Sequence, residues 1–407
     1  MVISNKKLSN RNAFLAIGVF AMLFAGIIYA WSILKIPFKE VYGFSDSSLA
    51  FNFTLTMCTF CLGAFFGSKL FRIIGTSLTV VLSGVLTGIG FVGTAFISGN
   101  ISLLYIFYAL FAGTGIGIAY NVVISTVNAW FPDKKGISSG ALMMAFGAST
   151  LIMGKVIESF FGNESIGWQK TYIIFGIILA CVLIFSGILL KRPAEDIVFP
   201  EVKTGKVIRN EAFEEKDYTT LQMIRRFTFW RAFICLVCLT AVGNSVISFA
   251  RDLVLSVGAE VSLASTLVGV LSICNGLGRI FTGALFDSLG RRITMLTANI
   301  ITIFAAAVTL AAVYLNSLPL CIIGLCITGI SYGSCPTVCS AFVAAFYGKK
   351  HFPTNFSVIN FNLIFASFIA TASSKLLTST GSYATPFVLL LSLAVLALGL
   401  NLSIRKP

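Results

Sequence analysis

Charge is what this chain has least of. Asp, Glu, Lys and Arg together make up 11% of its 407 residues, far below the roughly 25% of a soluble domain, so no ordinary water-soluble domain is expected. Histidine is nearly absent too, His351 being the only one. A Ser-His-Asp set or a histidine-based zinc or copper site has almost nothing to draw on, and no carboxylate pair falls within the apolar runs. The composition therefore argues against an enzyme, and no metal or cofactor is expected. Ten cysteines are present, including Cys58-x-x-Cys61 and Cys235-x-x-Cys238. Nearly all lie in apolar runs, where a thiol packs as a small hydrophobic group.

Apolar length is what the chain has instead. About twenty apolar residues at 1.5 Å each cross the roughly 30 Å hydrocarbon core of a bilayer. Such runs are expected near Ala13–Phe38, Ser47–Phe71, Ile74–Phe96, Ser102–Trp130, Gly136–Phe161 and Trp168–Leu190, then Phe227–Val257, Ser262–Phe286, Ile293–Leu315, Ser317–Phe346, Phe352–Lys375 and Tyr383–Ser403. The expected organisation is an all-α integral membrane protein with twelve transmembrane helices: a six-helix half over 1–190, a linker over 191–226, and a six-helix half over 227–407. The linker carries mixed charge and suits a solvated loop with a short surface helix. The first run is too long for a signal-peptide core and lacks a small-residue cleavage site, so it reads as a retained helix.

The formal net charge of +14 invites a nucleic-acid partner, and its distribution removes that reading. With both termini and the linker in the cytoplasm, 22 of the 29 Lys and Arg lie on the cytoplasmic side, six lie outside, and Arg279 lies within a span. That is the positive-inside pattern of a plasma (inner) membrane protein, with membrane lipids as the partner of its basic loops.

An internal repeat is legible at an offset of 215. It relates Gly75 to Gly290 and Lys134 to Lys349, while Gly113, Gly115 and Gly117 have looser partners in Gly329, Ser331 and Gly333 at 216. Small residues at those places are expected to let helices approach across the seam between the halves. The eighth run ends in Gly283-Ala-Leu-Phe-Asp287-Ser-Leu-Gly290-Arg291-Arg292, which resembles the loop signature of the major facilitator superfamily. The resemblance implies a latch of helix ends, with Gly283 permitting close helix approach and Asp287, Arg291 and Arg292 pairing across it. Its counterpart after the second run, Ser68 to Ser77, has Arg72 where the acid belongs. The fold implied is two six-helix halves in parallel pseudo-repeat, with a solute site near the midplane opened to each side in turn.

A closer resemblance starts at Asn128-Ala-Trp130-Phe-Pro-Asp133-Lys134-Lys-Gly136. This stretch is similar to the Trp-Phe-Pro-Asp-Lys-Arg-Gly loop of the oxalate/formate antiporter family, and Tyr29-Ala-Trp31-Ser32, Gly115 to Tyr120 and Asn275-Gly-Leu-Gly-Arg279 follow the same pattern. The resemblance implies a secondary transporter of a small organic anion, working as a monomer by antiport or substrate–proton co-transport. Asp133 and Lys134 join the expected gating loop.

Arg279 is the residue on which chemistry and resemblance meet. It lies about 17 residues into the eighth span, roughly 8 Å from the midplane, and Asp287 is roughly 12 Å further along the axis, beyond salt-bridge reach. A charge at that depth costs roughly 2.5 to 3.5 kcal/mol on insertion scales. Its planar fork matches a carboxylate, and the related family holds its substrate with a basic residue here; capping of backbone carbonyls is the structural alternative. The family's oxalate carriers add a lysine in the eleventh helix, at a position falling on or beside Leu363, with Asn360 and Asn362 as the nearest polar groups. One fixed charge plus amide donors suits a monoanion better than oxalate. Tyr29, Trp31, Tyr120 and Tyr332 are the aromatic wall candidates; Asn121 and Asn275 either donate to substrate or bridge helices. A drug exporter of the same superfamily and a non-transporting membrane sensor are the competing readings.

Overall fold

The computed structural model describes residues 11–131, 135–193, 217–348 and 351–404, and every regular element among them is helical. Eleven of these helices are long and apolar enough to cross a membrane. One of them, Asp46–Thr94, has 49 residues, about 73 Å of helix at 1.5 Å per residue and more than twice the hydrocarbon core. It is bent at Gly75 and makes two crossings, which brings the count to the twelve expected from sequence. In chain order they are α1 (Arg11–Tyr42), α2 (46–74), α3 (76–94), α4 (Ile101–Trp130), α5 (Lys135–Phe161), α6 (Gly167–Leu189), α7 (Phe227–Ser256), α8 (Val261–Phe286), α9 (Arg292–Tyr314), α10 (Leu318–Tyr347), α11 (Thr354–Thr380) and α12 (Ala384–Leu402). Large side chains such as Phe66, Phe185 and Phe304 are exposed on helix faces. A soluble protein rarely tolerates that, and lipid solvates it.

The 215-residue repeat holds at the level of single dihedrals. Gly75 (φ 82°, ψ 167°) and Gly290 (φ 73°, ψ 178°) adopt the same backbone conformation between successive helices, a region essentially closed to residues with a Cβ. Downstream of each, threonines at matching positions bond back into their own helix. Thr79 and Thr294 donate to the carbonyls of Gly75 and Gly290 at 2.7 Å. Thr87 and Thr302 donate to Ser83 and Ala298 at 2.8 Å. Gly283, by contrast, has open space where a Cβ would stand among the described residues, so the expectation that it permits close helix approach is corrected.

The expectation about the helix seams is corrected as well. A Cβ on Gly117 of α4 would strike the carbonyl of Phe60 on α2, and one on Gly63 of α2 would strike the carbonyl of Thr114. The same pair of contacts recurs 215 to 216 residues on, where Gly333 of α10 lies against the Asn275 carbonyl and Gly278 of α8 against that of Ile330. The small residues thus bring α2 to α4 and α8 to α10, inside each half. Close approach of this kind maximises packing where lipid supplies no hydrophobic drive between helices.

Two compact units result, Met1–Phe44 with Leu55–Gly205, and Ser45–Thr54 with Lys206–Pro407. The second unit includes the start of α2, held to α11: the Thr54 hydroxyl donates to the Ser367 carbonyl at 2.5 Å, and that of Ser374 to the Asp46 carbonyl at 3.1 Å. Within the linker, Thr220–Ile224 is a short helix opened by a reciprocal cap between Thr219 and Gln222.

Candidate functional site

Helix α8 supplies the charge. Arg279 is 5% exposed and Asn275 1% exposed, one turn apart and so on one face of the helix. Neither amide atom of Asn275 has a hydrogen-bond partner among the described residues, an unusual state for a buried polar group. The third member of this face, Thr282, donates to the Ser334 hydroxyl of α10 at 2.7 Å. Because α10 carries glycine at 329 and 333, it can lie against this face at backbone contact, and the Asn275 side-chain oxygen stands 3.1 Å from where a Cβ at 333 would be. Pro336, inside α10, has no N–H, so the Tyr332 carbonyl loses its helical donor there. Thr337 donates to the Arg279 carbonyl at 3.4 Å, tying the arginine's backbone to α10.

A polar network joins α7, α10 and α11 in the same unit. The Tyr332 hydroxyl donates to the Asn244 amide oxygen at 2.7 Å, and the Asn244 amide nitrogen donates to the Ser367 hydroxyl at 2.8 Å. Helix α11 is interrupted at Asn360 and Phe361, where Leu363 and Ile364 bond back only three residues, to Asn360 and Phe361. The tightening releases the Ile359 carbonyl, which accepts from Asn362 at 2.7 Å; the Asn362 oxygen accepts from Thr240 at 2.9 Å. Asn362 is thereby engaged in holding the helix break together, while Asn360 sits at the break, half-buried. Leu363 leaves an apolar side chain at the turn after it.

In the first unit Tyr29 lies in a tight 3-10 stretch of α1, Gly26–Ala30. Its ring meets Phe146 of α5 edge-on at 5.2 Å, and Tyr120 of α4 meets Phe146 at 5.1 Å and Phe60 at 5.3 Å. Tyr120 and Asn121 are half-buried, and Asn121 accepts from Ser125 at 3.3 Å. Trp31 departs from its expected wall position: it is fully buried, 4.7 Å from Tyr108 and stacked toward Phe38, in the aromatic interior of the unit.

Asn244, Phe60 and Phe146 were not singled out from sequence. An asparagine inside a span is a signal in its own right. Two phenylalanines among 38 carry none. Of the expected gating residues, Asp133 and Lys134 lie outside the described residues, as do the side chains of Asp287 and Arg291. Arg292 is exposed at the start of α9. Among the described residues no group of three or more His, Cys, Asp or Glu could hold a metal ion.

The proteins this chain is similar to include membrane transporters. An uncharacterized MFS-type transporter of Escherichia coli K12, YhjX, is 27% identical over 84% of this chain and 82% of its own length. The oxalate:formate antiporter of Oxalobacter formigenes is 26% identical over 71% of this chain and 66% of its own length. Monocarboxylate transporter 12-B of Danio rerio is 25% identical over 68% of this chain and 61% of its own length. In fold, the chain is similar to the xylose transporter XylE of E. coli in a partially occluded inward-open conformation, with a TM-score of 0.71 over 97% of this chain and 98% of that one at 12% identity. The Major Facilitator Superfamily model matches over residues 13–250 and 232–407, and the chain belongs to that superfamily of transporters rather than to any class of enzyme.

Proposed function

We propose that this transporter carries a small organic anion, a monocarboxylate in preference to a dicarboxylate, by alternating access between halves 1–190 and 227–407. The observation that carries the reading is the buried pair on α8. Arg279 supplies a positive charge with a planar fork, and Asn275 one turn away supplies an amide whose donors and acceptor have no partner among the described residues. A carboxylate bonded by the guanidinium and by that amide gains charge-assisted contacts from both, since the acceptor is itself ionised. The relatives whose names give substrates, an oxalate:formate antiporter and a monocarboxylate transporter, support the same class. Leu363, where a second cation would be needed for a dianion, supports the monoanion. Exchange of one anion for another, or co-transport with the proton held by substrate and Arg279, replaces a carboxylate relay. The cytoplasmic placement of both termini in the plasma (inner) membrane follows from the basic-residue asymmetry.

Proteoliposomes loaded with formate and challenged with labelled formate, acetate, pyruvate, lactate and oxalate test the reading. The native protein should take up one or more monocarboxylates, Arg279→Gln should lose that uptake by at least about 100-fold, in line with loss of a charge-assisted bidentate contact, and Leu363→Lys should shift preference toward oxalate. A membrane-inserted Arg279→Gln protein that transports carboxylates at the native rate refutes it, and transport of neutral or cationic drugs by that variant would replace it with export.

A further inference from the structure

The end of the first unit at which α2, α3 and α6 meet holds an open pocket of about 560 Å³, lined by Phe71, Arg72, Gly75, Thr76, Lys191 and Arg192 among others. Among the described lining residues three are cationic and none is acidic. No ion pair involves Arg72, Lys191 or Arg192 among the described residues, and all three are exposed. Two of the three are nonetheless tied down. The Trp130 indole donates to the Lys191 carbonyl at 2.6 Å, and the Arg192 guanidinium lies over the Phe71 ring at 4.8 Å. Gly75 turns the chain so that α3 starts at the pocket's edge, presenting backbone N–H groups and the positive end of its dipole beside the cations.

The arginine at this pocket's position 72 is peculiar to one copy of the repeat. The residue equivalent to Arg72 in the second half is Asp287, and with an acid at 72 the site would hold an ion pair. With arginine there the described lining carries three positive charges and no anion. We propose that this pocket is a seat for a phosphate anion, the headgroup of an anionic phospholipid, lying at the end of the membrane span where such headgroups are found. Three cations converging on a cavity larger than a bare phosphate match a phosphodiester with its glycerol, and the apolar Phe71, Ile74 and Leu190 beside them match the start of the acyl chains. The arginines offer forked donors to the phosphate oxygens, and each cation near the surface favours an anionic lipid. The site stands independently of which solute is carried.

Native mass spectrometry of the purified full chain with phosphatidylglycerol and phosphatidylcholine of identical acyl chains tests it. The native protein should retain phosphatidylglycerol by about tenfold over phosphatidylcholine, given three cations near the headgroup. Arg72→Gln/Lys191→Gln/Arg192→Gln should bring the ratio near one, whereas Arg72→Lys/Arg192→Lys, which keeps the charge, should preserve most of it. Arg225→Gln/Arg226→Gln/Arg231→Gln, basic residues outside the pocket, should leave the ratio unchanged. Displacement of the lipid by millimolar inorganic phosphate would identify free phosphate as the occupant of the same seat; no displacement identifies the lipid. A triple glutamine variant with native melting behaviour and an undiminished preference overturns the proposal, as does a native protein that holds both lipids equally and binds no phosphate.

Discussion

Replacing Gly333 by alanine tests how tightly the two helices that carry the candidate site are bound to one another. A Cβ at 333 would overlap the Asn275 carbonyl oxygen, stand 2.8 Å from its carbon and 3.1 Å from the side-chain oxygen, whereas ordinary contact begins at 3.4 Å. The nearest atoms are backbone, so no rotamer change relieves the clash, and α8 and α10 must part by about 1.5 Å, the shortfall from normal contact. The seam cannot open locally, since Gly278 and Gly329 close it at backbone contact one turn away on either helix. Overpacking of this kind costs about 1–3 kcal/mol, here toward the upper end. For a unit of about 200 residues that lowers the melting temperature by roughly 4–12 °C. Because the same movement displaces Asn275 and Arg279, transport should fall by about 100-fold, the scale of a 1 Å misplacement at a reacting or binding centre. Melting followed by size-exclusion chromatography in detergent reads the first quantity and proteoliposome uptake the second. Gly399→Ala, with open space around it in α12, is the control. A Gly333→Ala protein that melts within about 1 °C of native, a shift too small for any overpacking, and transports normally would refute the backbone-contact reasoning.

Two further substitutions separate conformation from packing. Gly290→Ala, at φ 73° and ψ 178°, should destabilise by about 1–3 kcal/mol, while Gly283→Ala, helical and facing open space, should be neutral or gain up to about 1 kcal/mol; equal melting shifts for the two would contradict the distinction. Asn244→Ala removes the acceptor of the Tyr332 hydroxyl and the donor to Ser367 and should cost about 1–3 kcal/mol. Adding Tyr332→Phe should cost less than the sum of the two single changes, and strict additivity in a thermal double-mutant cycle would show that the two residues do not act as one network.

The crossings and the repeat were legible in the amino-acid sequence because both are properties of length and spacing. Gly75 and Gly290, 215 residues apart, do occupy equivalent turns, and Arg279 is buried in α8 as its apolar surroundings implied. The direction of the glycine faces was not legible. A helix that is apolar on every side carries no moment to say which neighbour its small residues meet, so Gly113, Gly117, Gly329 and Gly333 were expected at the seam between the halves and instead face α2 and α8. The helix interruptions at Gly26–Ala30 and at Asn360–Phe361 escaped for a related reason. Neither contains proline, and the tightening at Asn360 is supported by Asn362 of α11 itself and by Thr240 of the distant α7. Pro336, by contrast, lies inside an α10 that runs on through it, as the single run expected there implied.

The paired turns at Gly75 and Gly290 bear on how duplicated halves drift apart. What the two copies share there is a pair of torsion angles and a threonine bonded back onto the glycine carbonyl, none of which depends on the charge three positions earlier. A turn specified by its own backbone leaves its neighbours free to change sign without unmaking the bend. One copy keeps aspartate at 287 and the other has arginine at 72, so the same mechanical joint stands beside an anion in one half and beside a place for an anion in the other.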